Sequence, residues 1–192
     1  MTRKLDRDLR VVVLVPNRPD GGERDTLWEF ARTRWARDFP DWPIVEGVGH
    51  VEGPFNRASA VNEAAGVAGE WDVAVIIDAD VVASVEPIRA AVALAYATDG
   101  PVLAYHERVQ LNRHGTQRIL NEYNGDWKHY RESASFTSVS SAVVVSRDLW
   151  DQVGGFDEMF DGWGWEDNAF IYACETVSEL PLTRIASTLS HL

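Results

Sequence analysis

Cysteine is nearly absent. Cys174 stands alone among 192 residues, which excludes an internal disulfide and a thiolate zinc cluster. His50, His106, His114 and His129 show no zinc-ligand spacing. Long apolar runs are missing too: the longest, VVVLV at 11–15, has the length of a strand and falls far short of a membrane span. The opening MTRKLDRDLR has no apolar core of the kind a secretory leader carries. These absences point to a soluble protein of the cytoplasm (the host's, for a viral chain) with no membrane partner. Repeats, low-complexity tracts and an interdomain linker are also lacking, so a single domain burying its own core is expected. Cys174 falls in an apolar helical stretch and reads as core packing.

Positive charge is scarce. The formal net charge is -12, which disfavours a broad phosphate-tracking surface. Residues 1–40 carry nine Lys/Arg against seven acids, leaving nine against twenty-three in the remainder. An acidic body of this kind needs a cation wherever it receives a phosphate.

What is present alternates between strand and helix. LRVVVLVP (9–16) reads as a buried parallel strand, and ERDTLWEFARTRWARDF (23–39) as a helix of about four turns. Strands are expected at 42–48, 71–80 and 101–107, and helices at 56–69 and 86–97, the latter with proline in its first turn. This order implies a doubly wound, mostly parallel α/β sheet with flanking helices. Ligands of such sheets bind at the carboxyl ends of the strands. After 107 the pattern weakens: 108–133 is polar and reads as an insertion or lid. A strand at 136–146, a short helix at 147–153, a loop, a helix at 166–177 and a terminal strand within 180–192 complete the chain.

Chemistry-bearing residues gather at the expected strand ends. Asp78-Ala79-Asp80 closes the third strand, where alternation would turn both carboxylates to one side and toward one hard cation, Mn²⁺ or Mg²⁺. The same spacing at Asp6-Arg7-Asp8 lies in a tail and carries no assignment. Pro16-Asn17-Arg18 ends the first strand, where the arginine reads either as a diphosphate or base ligand or as a solvated charge. Asn56 and Arg57 open a helix, whose N–H groups suit an anion, although Asn56 also reads simply as an N-cap. In FDGWGWEDNAF (160–170), Trp163 and Trp165 crowd against Glu166 and Asp167. First-turn acids favour the helix dipole, yet that leaves the tryptophans unexplained. Rings beside acids suit a sugar, and a carboxylate there can act as general base. Its pKa should be raised by the low polarity around it. His191, on the terminal strand, is a lone histidine.

Five motifs in order, VPNR, GPFNRASAVNEAA, VAVIIDADV, GGFDEMFDGWGWEDNAF and RIASTLSHL, resemble nucleotide-sugar glycosyltransferases of the GT-A (Rossmann-like) fold. The likeness is to β-1,4-galactosyltransferases and to chondroitin-type and N-acetylgalactosaminyl transferases, and it runs from residue 10 to 192. It implies a tail at 1–8, a nucleotide-sugar-binding half at 9–104 and an acceptor-binding, catalytic half at 105–192. By that resemblance Pro16, Asn17 and Arg18 hold the diphosphate, and Phe55, Asn56 and Arg57 meet the base. Asp80 is a metal ligand, Asp78 is shared between metal and ribose, and His191 is the histidine metal ligand. Trp163 and Gly164 form the sugar platform, Glu166 binds sugar hydroxyls, and Asp167 is the catalytic base of an inverting, Mn²⁺- or Mg²⁺-dependent transfer from a UDP-linked donor. Three departures stand out. Trp165 occupies a position that is usually glycine, Asn168 replaces a third acid, and the chain ends one residue beyond His191.

Trp165, Tyr123 and Trp127 are candidate acceptor contacts. Arg108, Arg113, Arg118, Lys128 and Arg131 interleave with Tyr105, Tyr123, Trp127 and Tyr130, a mixture that suits flipped or single-stranded bases as well as a polar lid. The acceptor is therefore expected to be a saccharide or protein hydroxyl, with modified DNA (a hydroxylated base, as for some phage enzymes) as the alternative. A catalytically silent nucleotide- or sugar-binding module and a sugar nucleotidyltransferase are the readings from other classes. The first has no need of Asp167, and the second wants a fuller glycine-rich basic loop than PNRPDGGERD.

Overall fold

The computed structural model describes residues 9–121, 127–160 and 164–192, with the backbone alone at 127 and 128. Tyr123 and Trp163 lie outside these residues, and the side chain of Trp127 is likewise not described.

Three strands make the scaffold. β1 (Val11–Pro16) lies between β2 (Ile44–Gly47) and β3 (Val73–Ile77), parallel to both. Their β-branched side chains are covered by helices, which is why the runs are apolar without alternation. α1 (Glu23–Asp38) contributes Trp28, Ala31 and Trp35 to this core, α2 (Arg57–Val67) contributes Ala58, Val61 and Ala64, and α3 (Val85–Thr98) contributes Ile88, Ala91 and Ala95. α2 lies so close to β2 that a Cβ on Gly47 would sit 1.8 Å from the Ala60 carbonyl oxygen.

The expected class holds, with a different plan. The main sheet has six strands in the order β2-β1-β3-β8-β5-β9, where β5 is Val102–Leu103, β8 is Ala142–Ser146 and β9 is Thr183–Arg184. β8 runs antiparallel to both its neighbours, β3 and β5. A second, four-stranded sheet has the order β4-β10-β6-β7, built from β4 (Val81–Val82), β6 (Glu107–Leu111), β7 (Arg131–Ser135) and β10 (Thr188–His191). Leu27, Val82, Val109, Leu111, Ile119 and Leu192 form its separate core. The described part of the lid expected at 108–133 is built of regular elements, with β6, α4 (Arg113–Asn121) and a 3-10 turn at Trp127–Tyr130 leading into β7. The strand expected at 101–107 divides between the two sheets, and the one expected at 136–146 shortens to β8. α5 (Arg147–Val153) and α6 (Glu166–Ser178) follow β8. Cys174 is fully buried, and burial pushes its thiol up to about 12, as befits a packing residue.

Candidate active site

β3 ends at Ile77, so Asp78-Ala79-Asp80 forms the turn that carries the chain from the main sheet into β4 of the second. This corrects the strand-alternation argument: the two carboxylates leave the turn toward different partners. Asp78 Oδ1 accepts from Arg57 Nε at 3.1 Å and Nη2 at 2.9 Å. Asp80 Oδ1 lies 3.3 Å from His191 Nε2. The second contact follows from register, because β10 pairs antiparallel with β4, placing His191 against Val81, and the Leu192 N–H bonds the Asp80 carbonyl at 2.9 Å.

Arg57 is the first residue of α2, and its guanidinium also donates from Nη1 to Asp167 Oδ1 at 2.5 Å. It thereby joins the end of β3 to the start of α6, reaching an aspartate 110 residues away in sequence. Its position is fixed from two sides. Asn56 caps α2, accepting from the Ser59 N–H at 2.8 Å, and donates to the carbonyls of Glu158 (2.9 Å) and Phe160 (3.2 Å). The guanidinium lies 5.7 Å from the centre of the Phe156 ring, which stacks on Phe170 at 4.0 Å.

Asp167 and Glu166 are both buried. Burial raises Asp167 to about 7: Arg57 opposes the rise, while Asp78 and Glu166 add to it. One arginine serves two carboxylates here. The share that Asp78 receives prevails over its burial and holds that carboxyl below the ordinary value. The charges of Asp167 and Asp78 likewise overcome burial at Arg57 and raise it. Glu166 Oε2 accepts from the Gly164 N–H at 3.1 Å. Trp165, between them, has φ +73° and is 74% exposed. That positive φ is the physical reason a glycine suits this position.

Asp80 and His191 are suited to a divalent ion. Burial raises Asp80 and lowers His191, so each is pushed toward its neutral form. A neutral imidazole is the form that coordinates, and an added cation would relieve the cost at Asp80. Adjacent ligands of an octahedral ion with bonds of ~2.1 Å sit about 3 Å apart, close to the observed 3.3 Å. Among the described residues, buried His191 Nδ1 meets no hydrogen-bond partner. Among the described residues no three His, Cys, Asp or Glu side chains converge as a ready ligand set. Asp78 turns Oδ1 to Arg57.

The remaining candidates divide. Asn17 is buried and donates to Glu46 at 3.0 Å, while the Asn56 amide is spent on its cap and the 158–160 carbonyls, so both side chains hold structure. Pro16 closes β1. Arg18 donates to the carbonyls of His50 (2.9 Å) and Gly53 (3.2 Å), with its guanidinium 5.5 Å from the Phe55 ring centre. Arg24 approaches the same ring at 5.9 Å. Of the basic and aromatic residues at 105–131, Tyr105 is fully buried and its hydroxyl donates to Ser140 O at 2.6 Å, which removes it from an acceptor platform. Arg118 donates to the Tyr130 hydroxyl, and Arg131 pairs with Glu107 at 2.8 Å.

A solved Drosophila β-1,4-galactosyltransferase 7 mutant, in complex with manganese, UDP-Gal and xylobiose, superposes with a TM-score of 0.61 at 21% identity, over 95% of this chain and 70% of that one. The chain has the GT-A fold. The catalytic domain of the same Drosophila enzyme with xylobiose gives the same TM-score, identity and coverage. Residues 108–178, which include most of β6, all of β7 and the acidic start of α6, match the family model of the N-terminal domain of galactosyltransferase. No curated protein matches by sequence.

Proposed function

We propose that the protein is a divalent-metal-dependent, inverting glycosyltransferase that moves a sugar from a UDP-linked donor to a saccharide hydroxyl. The observation that carries this reading is the placement together of a cation-suited couple, Asp80 and His191, and a buried Asp167 whose pKa is raised. Arg57 and Asp78 tie the two halves together. The galactosyltransferase match at 108–178 and the GT-A fold support it, as do the manganese, UDP-Gal and xylobiose of the Drosophila complex.

Arg57 takes only Oδ1 of Asp167, which leaves Oδ2 to accept the proton of the acceptor hydroxyl. The hydroxyl oxygen bonds to the anomeric carbon as the bond to the diphosphate oxygen breaks, and the nucleotide departs with that electron pair. Arg57 keeps Asp167 oriented, and Glu166, with one oxygen held by the Gly164 N–H, offers the other to a sugar hydroxyl. A divalent ion at Asp80 and His191 would neutralise the charge gathering on the leaving diphosphate. A saccharide acceptor suits the acidic exterior better than DNA does, since Arg118 and Arg131 are engaged within the second sheet and its adjoining turn.

Asp167→Asn should lower kcat by about 10²–10⁴-fold while UDP with Mn²⁺ still binds. Near-normal turnover would remove Asp167 from the base role. The wild-type rate should rise as pH climbs toward about 7, where Asp167 loses its proton, and level off above it; a rate flat across that range would point to another base.

A further inference from the structure

Asn62 lies in the middle of α2, among alanines that are better helix formers. Its amide bonds nothing in its own helix and crosses instead to the loop after α5. Oδ1 accepts from the Phe156 N–H at 2.9 Å, and Nδ2 donates to the Phe156 carbonyl at 2.9 Å and to Glu158 Oε1 at 2.8 Å. One side chain thus satisfies both main-chain polar groups of a buried residue, as a neighbouring strand would. The approach is close: a Cβ at Gly155 would sit 2.7 Å from Asn62 Oδ1. Gly154 and Gly155 hold φ of +83° and +82°, a turn that glycine makes without strain, and it delivers Phe156 to the clasp.

The ring held in this way bears on the candidate base. The centre of Phe156 lies 5.7 Å from the Arg57 guanidinium, within the range of a cation–π contact. The same ring stacks on Phe170 at 4.0 Å and 10°, and Phe170 is three residues beyond Asp167 on α6. Phe156 therefore stands between the arginine of α2 and the helix that carries Asp167. Arg57 Nη1 takes Oδ1 of that carboxylate at 2.5 Å. A guanidinium that lost its aromatic support could slide to the other oxygen or away from both.

We propose that Asn62 is a positioning residue of the transfer reaction: by fixing Phe156 it keeps the Arg57 guanidinium on one oxygen of Asp167. The proposal rests on the transferase reading for the reaction that it serves, but not for the geometry that it sets. Asn62 acts through Phe156 and Arg57, so its loss should be felt in turnover rather than in nucleotide binding. Three charged groups face Asp167: Arg57 from α2, Asp78 from the end of β3 and Glu166 from its own helix. Of these only Arg57 favours the ionised carboxylate. An arginine that wanders would let Asp167 keep its proton to higher pH.

The test compares wild type, Asn62→Ala, Phe156→Leu and the double variant. The readouts are release of UDP from UDP-hexoses with mono- and disaccharide acceptors, calorimetric binding of UDP with Mn²⁺, and the carboxyl ¹³C NMR titration of Asp167, assigned with Asp167→Asn. Thermal midpoints report how much of each protein is folded. Asn62→Ala should lower kcat about ten- to hundredfold, leave the UDP–Mn²⁺ dissociation constant near its wild-type value, and move the Asp167 titration to higher pH. Phe156→Leu should show the same pattern, and the double variant should be little worse than either, because the two side chains act along one route. Should Asn62→Ala fail to fold, Asn62→Ser takes its place with the same expectations. A lowered thermal midpoint with wild-type kcat and an unmoved Asp167 titration would make Asn62 a structural residue only and overturn the proposal. A wild type that releases no UDP with any acceptor would sink the transferase reading. The Asp167 titration would then decide the geometry by itself, moving in Asn62→Ala if the clasp aims Arg57 and standing still if it does not.

Discussion

Trp165 holds a left-handed backbone conformation while most of its ring faces solvent, so packing does not account for the strain. A bulky residue there costs about 1 kcal/mol or more. Trp165→Gly should accordingly raise the unfolding free energy measured in urea by up to about 1 kcal/mol, and, if the ring is an acceptor platform, raise the acceptor KM as well. A stabilised variant with unchanged acceptor KM would leave the tryptophan without that role. Asp167 presents a related conflict. Its folded-state value of about 7 lies above the ordinary 3.8, so between those values the folded chain holds a proton that the unfolded chain has released. Stability contributed by this group is thus present at low pH and lost as pH rises through about 7. Asp167→Asn should therefore gain stability over wild type progressively between about pH 4 and about pH 7 and level off above it, seen as a gap in thermal midpoints that widens over that range. A gap that narrows over that range would contradict the raised value.

At the level of elements, the contact between α2 and β2 aims the site. Gly47→Ala would drive a methyl group into the Ala60 carbonyl, and the helix carrying Asn56 and Arg57 must shift to admit it. A loss of about 1–3 kcal/mol in urea unfolding is expected, together with weaker UDP–Mn²⁺ binding. Unaltered nucleotide affinity would show that α2 can move without moving the site. The same scale explains what could be read from sequence. β1 and β3 were legible because strands covered on both faces are continuous apolar runs, and α1, α2 and α3 because their small and apolar residues recur at helical spacing. The second sheet was not. In β6 only Val109 and Leu111 are buried, a two-residue period too short to stand out among Glu107, Arg108 and Gln110. Asp80 and Asp167 stand out in their motifs and His191 only through the family resemblance; in the structure Asp80 lies beside His191, and Arg57 joins Asp167 to Asp78. The Arg57 bridge had no local signal, since its carboxylates lie 21 and 110 residues away. Overrunning β3 by three residues is what placed Asp78 and Asp80 on a common face.

For the whole molecule, ligand linkage gives the broadest check. UDP with Mn²⁺ should raise the unfolding midpoint, EDTA should abolish the gain, and Asp80→Asn should lose it without chelator. A shift by UDP that ignores EDTA would mean nucleotide binding without the metal. Among the described residues no helix is long and apolar enough to cross a membrane. The two-sheet plan also has a mechanical side. Asp78 and Asp80 occupy the turn where the backbone leaves one sheet and enters the other, so Asp167, through Arg57 and Asp78, is tied to the first slab and the Asp80–His191 couple to the second. A small rocking of one slab on the other would alter the gap between Asp167 and that couple. A donor gripped at both ends would then act as a strut across the seam, and its departure would let the jaws relax.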